Sequence, residues 1–523
     1  MCGREAIELA CPCHAHSRIS GSLEGYMSPD AILTKSEAEP GAAPRAHRTG
    51  IALAIIVSCQ LILTIDLMIV TVALPSIGAD LGFSETGMAW VVNVYGLALG
   101  GLMLLGGRMG DIFGRRRIFM TGIALFTVAS LLGGFATEGW WFLGARAFQG
   151  VGAAMAMPTT LALILSLFPE GAGRTKAIAT SAAASSSGAV VGLLLGGVLA
   201  TGLSWRWVMF VNVPVGILVF LLTPVFIAEQ ARMRGRFDVA GAVTSALSVV
   251  LLVYGLSNAG HDGWSNATTV VGPIVAGAVL FAVFIAVESR AKQPIMPLRL
   301  FSDRNRVTAY LSAVLVTGSM IGMSFFLTMF VQGPLGFSPL IAGVSFLTTG
   351  FALVFTSVAV TAILPRIGER WMTFLGALAL VVGYLWLADI SLDSGYWGAI
   401  FGPLVLVGAG MAATLIPATE MAGAGVTSQN YGAASSTYNT MLQLGGPFVL
   451  AVLVTVYGTA SRTASADAPT GLTPEALDHY VLTESMSPGF VGAAIIAAVV
   501  AVTSLFIRST RRGEQPAGAV AAD

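Results

Sequence analysis

The chain has 523 residues, of which 55% are hydrophobic and 10% charged, where a soluble domain carries about 25% charged residues. Its 27 basic and 27 acidic residues cancel, which argues against the strongly basic surface of a nucleic-acid binder. Only four cysteines occur, Cys2, Cys11, Cys13 and Cys59, and three of them fall in the first 13 residues, so a disulfide framework is not expected.

Residues 1–48 are polar and are expected to be a disordered cytoplasmic tail, with Met27 as good a start as Met1 and no apolar core of a signal peptide. The run Cys11-Pro-Cys-His-Ala-His16 crowds soft-metal ligands into six residues of that tail, and no metal centre is expected from it. Apolar runs of about 20 residues then recur, each long enough to cross a hydrocarbon core of about 30 Å. The spans predicted are 51–74, 87–106, 117–136, 140–164, 176–201, 207–228, 238–258, 268–288, 307–332, 340–364, 372–390, 396–417, 432–458 and 489–508. Together they predict an all-α integral membrane protein with 14 transmembrane helices.

Between the second and third spans lies an island of charge, Gly106-Gly-Arg-Met-Gly-Asp-Ile-Phe-Gly-Arg-Arg-Arg117. It reads as a tight cytoplasmic link, because short Lys/Arg-rich loops stay inside. Counting outward from it puts nearly every basic residue on the same side, the exceptions being Arg206, Arg462 and the intraspan Arg146. Both termini are then cytoplasmic. Trp90, Trp140, Trp141, Trp205, Trp207, Trp264, Trp386 and Trp397 fall at the opposite ends of the spans, where an amphipathic ring sits at headgroup level. The stretch from about 459 to 488 is the longest external loop and reads as a flexible lid or spacer.

The chain repeats itself. Leu81-Gly-Phe-Ser84 returns as Leu335-Gly-Phe-Ser338, Ser186-Ser187 ahead of Gly196-Gly197 as Ser435-Ser436 ahead of Gly445-Gly446, and Gly150-x-Gly152 as Gly408-x-Gly410. The division expected is a tail at 1–48, a six-helix bundle at 49–228, an inserted two-helix linker at 229–306, a second six-helix bundle at 307–508 related to the first by a pseudo-two-fold axis, and a tail at 509–523. Two similar halves around a central site are the architecture of secondary transporters.

These residues resemble the major facilitator superfamily, in particular its fourteen-helix drug/proton antiporter branch. Gly107-x-x-x-Asp111-x-x-Gly114-Arg115-Arg116 looks like the superfamily's loop 2–3 signature, with Ile112 where a basic residue is usual. Asp66 within Ile65-Asp-Leu-Met-Ile-Val-Thr-Val-Ala-Leu-Pro75 resembles the branch's first-helix signature, with Thr71 for the usual Asn. Arg146-Ala-Phe-Gln149-Gly150-Val-Gly152 resembles the fourth-helix signature. Gly188-x-x-x-Gly192-Leu193-x-x-Gly196-Gly197 resembles the fifth-helix antiporter signature, with Leu193 where Pro is typical, and Trp205-Arg-Trp-Val-Met-Phe-Val-Asn-Val-Pro214 also fits the branch.

Asp66 and Arg146 are the ionisable residues placed well inside spans of the first half. A charge at the bilayer centre costs about 2.5–3.5 kcal/mol on insertion scales, so each is a functional candidate. At 1.5 Å per residue both lie roughly 9–12 Å below the outer surface, and they meet if helices 1 and 4 are neighbours, as the resemblance implies. Asp66 is the expected proton carrier and Arg146 the cation that tunes it; the alternative is a fixed ion pair locking two helices. Gly107, Asp111, Gly114, Arg115 and Arg116 are expected to gate, with Asp111 capping a helix of the other half, although a plain topogenic loop explains the arginines as well. Gly188, Gly192, Gly196 and Gly197 are expected to form one smooth packing seam. Gln60, Asn93, Gln149, Gln332, Asn439 and Gln443 are candidate cavity liners.

An enzyme is not expected, since all five histidines fall in the tail or loops and no phosphate-cradling loop occurs. The function expected is proton-coupled export of lipophilic, drug-like molecules by alternating access. The protein would work as a monomer in the inner membrane, with protons in place of any cofactor and no nucleic-acid partner. A uniporter or symporter of a small metabolite is the alternative within transport, and a non-transporting sensor or scaffold the alternative outside it.

Overall fold

The structure, a computed structural model, describes residues 46–169, 171–230, 238–291, 294, 296–391, 394–426, 428–469 and 473–508. The cysteine/histidine run at 11–16, the basic trio Arg232, Arg234 and Arg236, and the tail expected at 509–523 lie outside those residues. Among the described residues the chain is helical without strands, and 14 helical segments are long and apolar enough to cross a membrane.

The first five spans are α1 (Ala46–Leu81), α2 (Glu85–Phe113), α3 (Arg115–Gly134), α4 (Gly139–Leu167) and α5 (Ala172–Gly202). The sixth, Arg206–Phe226, is made of two helices, α6 (Arg206–Phe210) and α7 (Asn212–Phe226). The inserted pair is α8 (Val239–Asp262) and α9 (Gly272–Arg290). The last six are α10 (Arg304–Gln332), α11 (Pro339–Ile367), α12 (Glu369–Ala388), α13 (Phe401–Gly423), α14 (Ser428–Ala466) and α15 (Pro474–Ser504).

Two expectations about connections are corrected. The charged island is not a loop: α2 runs through Asp111 to Phe113, and Gly114 alone joins it to α3. Gly114 takes φ +108, a value that side chains resist, so one residue turns the chain. The long external loop is also mostly helix, because α14 extends to Ala466 and α15 begins at Pro474.

The repeat is visible in the packing. Ser84 caps α2 by accepting from Gly87 N, and Ser338 caps α11 by accepting from Ile341 N, each preceded by a glycine of nearly equal φ, +67 at Gly82 and +64 at Gly336. Gly150 on α4 lies against Tyr95, Ala98 and Leu99 of α2, and Gly408 on α13 against Thr349, Ala352 and Leu353 of α11. Each of these α2 positions returns 254 residues later in α11, as alanine and leucine again at 352 and 353 but as Thr349 in place of Tyr95. Six-helix units of this kind pack within themselves: α3 and α2 on α4, and α1 on α5, then α12 on α13, and α10 on α14. They meet each other along two seams, α2 with α14 and α5 with α11. α8 lies across the first seam. Its Tyr254 ring is 5.8 Å from that of Trp90 on α2, while Thr455 on α14 donates to its Leu256 carbonyl.

Candidate functional site

Alternating helix directions collect the arginine-bearing turns at one end of the molecule and the tryptophan-bearing turns at the other. Near mid-span, small residues let α4 sit close to its neighbours. A β-carbon at Gly150 would stand 2.5 Å from the Tyr95 carbonyl oxygen, and one at Gly152 2.6 Å from Phe126 N. That close approach brings Arg146 to α1. Its Nη1 donates to Asp66 Oδ2 at 2.6 Å and to Gln149 Oε1 at 2.9 Å, its Nε donates to the Val91 carbonyl at 3.3 Å, and its guanidinium lies 4.3 Å from the centre of the Tyr95 ring.

Asp66 Oδ1 is held as fully as Oδ2. Gln149 Nε2 donates to it at 3.0 Å and Asn212 Nδ2 at 2.7 Å, and Gln149 also donates to Ser130 Oγ at 2.8 Å. Asp66, Arg146, Gln149, Asn212, Ser130 and Tyr95 are all buried to within about one per cent. A charge so far from solvent is tolerated only when paired and hydrogen-bonded, and this pair is both. The two residues singled out by their charge do meet, and the pair faces the interior of the first six helices. Asn212 and Ser130, which complete it, carry no charge to flag them in the sequence; Asn212 is nonetheless the polar residue of an otherwise apolar stretch at the α6–α7 break.

A cavity of about 250 Å³ opens on the other side of α1, where Leu67 and Met68 point. Both halves line it, with Met68, Met320, Met323 and Met411 beside Phe325 and Phe346. None of the six predicted liners is among its walls. Gln149 belongs to the ion-pair network, Gln60 accepts from Thr160 Oγ1 at 2.9 Å, and Gln332 donates to the Val72 carbonyl at 2.8 Å. Asn439 donates to the Ser435 carbonyl of its own helix at 2.9 Å, the backbone carbonyl of Gln443 lies near Gly96, and Asn93 is buried with no hydrogen-bond partner among the described residues for either side-chain atom. The walls were missed because methionine and phenylalanine at helical spacing read equally well as core.

The gating candidates gather at the arginine-rich end, on the first half. Asp111 Oδ1 accepts from Arg115 Nε at 3.2 Å and Nη2 at 3.0 Å, and Arg115 Nη1 donates to the Ala162 carbonyl at 3.2 Å. Arg116 and Arg117 each place Nε 3.5 Å from Glu229 Oε2. Asp111 therefore ties α2 to α3 and, through Arg115, to α4, where a cap on the other half was expected. Gly107 makes ordinary contact with Pro158; it is Gly106 that touches α4 most closely, a β-carbon there falling 2.0 Å from the Ala154 carbonyl oxygen. The fifth-helix glycines divide between two faces. Gly188, Gly192 and Gly196 lie on α1 at Leu61, Ile65 and Ile69, whereas Gly197 lies on α11 at Pro339 and Leu340.

Hydrogen bonds between described residues join the first six helices to the last six at the tryptophan-rich end. Gln332 Nε2 donates to Val72 O, Leu340 N to Thr201 Oγ1 at 3.2 Å, and Tyr457 OH to Glu85 Oε1 at 2.8 Å.

Two repeated six-helix units with a cavity at their join, and a buried ion pair beside it, define a multi-pass membrane transporter. The sequence profile of the Major Facilitator Superfamily matches residues 56–450, and the chain belongs to that superfamily. It is similar to the cephamycin export protein CmcT of Amycolatopsis lactamdurans, 37% identical over 89% of this chain and 94% of that one. It is similar to the puromycin resistance protein pur8 of Streptomyces alboniger, 37% identical over 90% and 93%, and to the multidrug efflux pump LfrA of Mycolicibacterium smegmatis, 31% identical over 89% and 91%. Among solved structures, a bacterial homologue of the human lysosomal transporter Spinster, in an inward-facing and unoccupied conformation, shares the fold with a TM-score of 0.62 at 16% identity, over 88% of this chain and 96% of that one.

Proposed function

We propose that the protein is a proton-coupled exporter of drug-like small molecules that works as a monomer by alternating access in the inner membrane. The observation that carries the reading is the adjacency on α1 of a buried carboxylate, Asp66, and the wall of an apolar cavity, Leu67 and Met68, on opposite faces of one helix. A rotation of α1 that admits a proton to Asp66 also moves the cavity wall. Relatives over nearly the full length, named for cephamycin export and for puromycin resistance, support outward transport. The basic turns argue for the arginine-rich end as cytoplasmic. The tryptophan-rich end is bonded across the two halves in the state described, and the bodies 49–228 and 307–508 are the parts that rock.

The full enclosure of Asp66 favours a second reading, in which the pair is a static lock between α1 and α4 and another route carries the proton. One experiment addresses both. Purified protein in liposomes, given an imposed pH gradient, is offered a panel of lipophilic compounds that includes puromycin, and internal pH is followed. Compound-dependent collapse of the gradient by wild type, absent in Asp66→Asn, is expected. No collapse with any compound overturns proton-coupled transport; collapse undiminished in Asp66→Asn overturns the carrier role and leaves the lock.

A further inference from the structure

The repeat assigns different chemistry to equivalent positions of the two halves. The 254-residue offset that relates Gly82 to Gly336 and Gly114 to Gly368 carries Asp66 onto Met320 and Tyr95 onto Thr349; the 258-residue offset between Gly150 and Gly408 carries Arg146 onto Leu404. Where the first half has an ion pair under a tyrosine ring, the second has methionine, leucine and a free hydroxyl. Met320 and Thr349 both line the cavity. Thr349 is 6% exposed, and its Oγ1 has no hydrogen-bond partner among the described residues. Thr71, the nearest hydroxyl on the first half, already donates to the Leu67 carbonyl at 3.1 Å.

A cavity without a charged wall selects against charge. A cation moved from water into it gains no counter-ion, because Asp66 on the far side of α1 is already matched by Arg146, and an uncompensated buried charge is strongly unfavourable. Methionine thioethers adapt to many apolar shapes, which explains tolerance without explaining selection. The Thr349 hydroxyl, beside Ser324 which also lines the cavity, supplies the selection, since a ligand acceptor that meets it gives it a hydrogen bond that the described residues do not. At about 250 Å³ the space lies just below the roughly 300–1,000 Å³ of common ligand sites, so the ligand is compact.

We infer that the cavity binds compact, uncharged lipophiles carrying one hydrogen-bond acceptor, with Thr349 as the residue that reads that acceptor, and that it discriminates against permanent cations. Transport of such ligands rests on the exporter reading above; their binding does not.

Three probes of one shape separate the contributions: triphenylphosphine oxide (uncharged, one acceptor oxygen), triphenylmethane (uncharged, no acceptor) and methyltriphenylphosphonium (a permanent cation). Equilibrium binding to the purified full chain and gradient collapse in liposomes are measured with each. The oxide is expected to bind at least about tenfold more tightly than the phosphonium. Thr349→Val is expected to weaken the oxide about two- to tenfold while leaving triphenylmethane unchanged, which also reports that the variant is folded. Thr349→Ser is expected to keep the preference for the oxide. Phosphonium binding as tight as the oxide, or equal oxide affinity in Thr349→Val, overturns the inference. Oxide binding with the expected preferences but without proton movement supports the assignment of the cavity and overturns the exporter reading alone.

Discussion

At the scale of single residues the buried charge of the first six helices is concentrated in one place, the Asp66–Arg146 pair. Asp66 and Arg146 were legible in the sequence because a charge inside an apolar run costs about 2.5–3.5 kcal/mol to insert and must be there for a reason. A prediction separates the two reasons that remain. Asp66→Asn strands Arg146 without a counter-charge, and breaking a buried pair from one side costs about 3–5 kcal/mol, so the melting temperature in detergent should fall clearly. Replacing both partners, Asp66→Leu with Arg146→Met, removes the stranded charge and should recover most of that loss. If Asp66 carries the proton, the stable double variant still fails to accumulate substrate against a gradient. Accumulation at the wild-type level in the double variant would reduce the pair to a lock. Asn212 tests the surroundings: Asn212→Leu removes one donor from Asp66 Oδ1 and should cost about 1–3 kcal/mol of stability by thermal unfolding. Asn212 and Ser130 were not legible, because an uncharged polar residue is cheap in a span and nothing in its own sequence position names its partner.

At the scale of helices, glycine decides which faces touch, and the sequence misled where it gave only a stripe. Gly188, Gly192, Gly196 and Gly197 read as one seam, yet a single residue step on a helix is 100 degrees, enough to send Gly197 across the molecule to α11. The repeat was legible for a sounder reason: paired caps and paired close approaches are local devices, and each half needs them at the same place. The charged island misleads because a run of charge reads as loop, while a helix near the headgroups can keep its hydrogen bonds and still hold arginine side chains in water. Neighbouring glycines provide a sharp test. Gly106→Ala puts a methyl group 2.0 Å from the Ala154 carbonyl and should destabilise by about 1–3 kcal/mol through forced separation of α2 and α4. Gly107→Ala meets Pro158 at an ordinary 3.5 Å and should be close to neutral. Thermal unfolding of the two variants measures the contrast, and equal melting temperatures would contradict the α2–α4 packing.

At the scale of the whole molecule the two halves are fastened unequally. The α2–α14 seam is close-packed, a β-carbon at Gly96 falling 2.6 Å from the Pro447 ring and one at Gly100 2.7 Å from Leu444, and α8 braces it from outside. The α5–α11 seam is tight at Gly197 and Gly343, and it relaxes to a side-chain contact of 3.2 Å between Gly350 and Val190 toward the arginine-rich end. Rocking about such a join opens one end as it shuts the other, and two cysteine pairs report it. Thr201→Cys with Leu340→Cys, where a backbone N and a side-chain oxygen now lie 3.2 Å apart, should cross-link readily in the resting protein and stop transport until reduced. Lys176→Cys with Ile363→Cys, at the other end of the same two helices, should cross-link only when the tryptophan-rich end has opened. Tyr457→Phe removes the bond to Glu85 that helps hold that end shut, so it should slow the first cross-link and speed the second, each by about two- to tenfold. Rates that change together, rather than in opposition, would mean that the halves breathe apart without exchanging access.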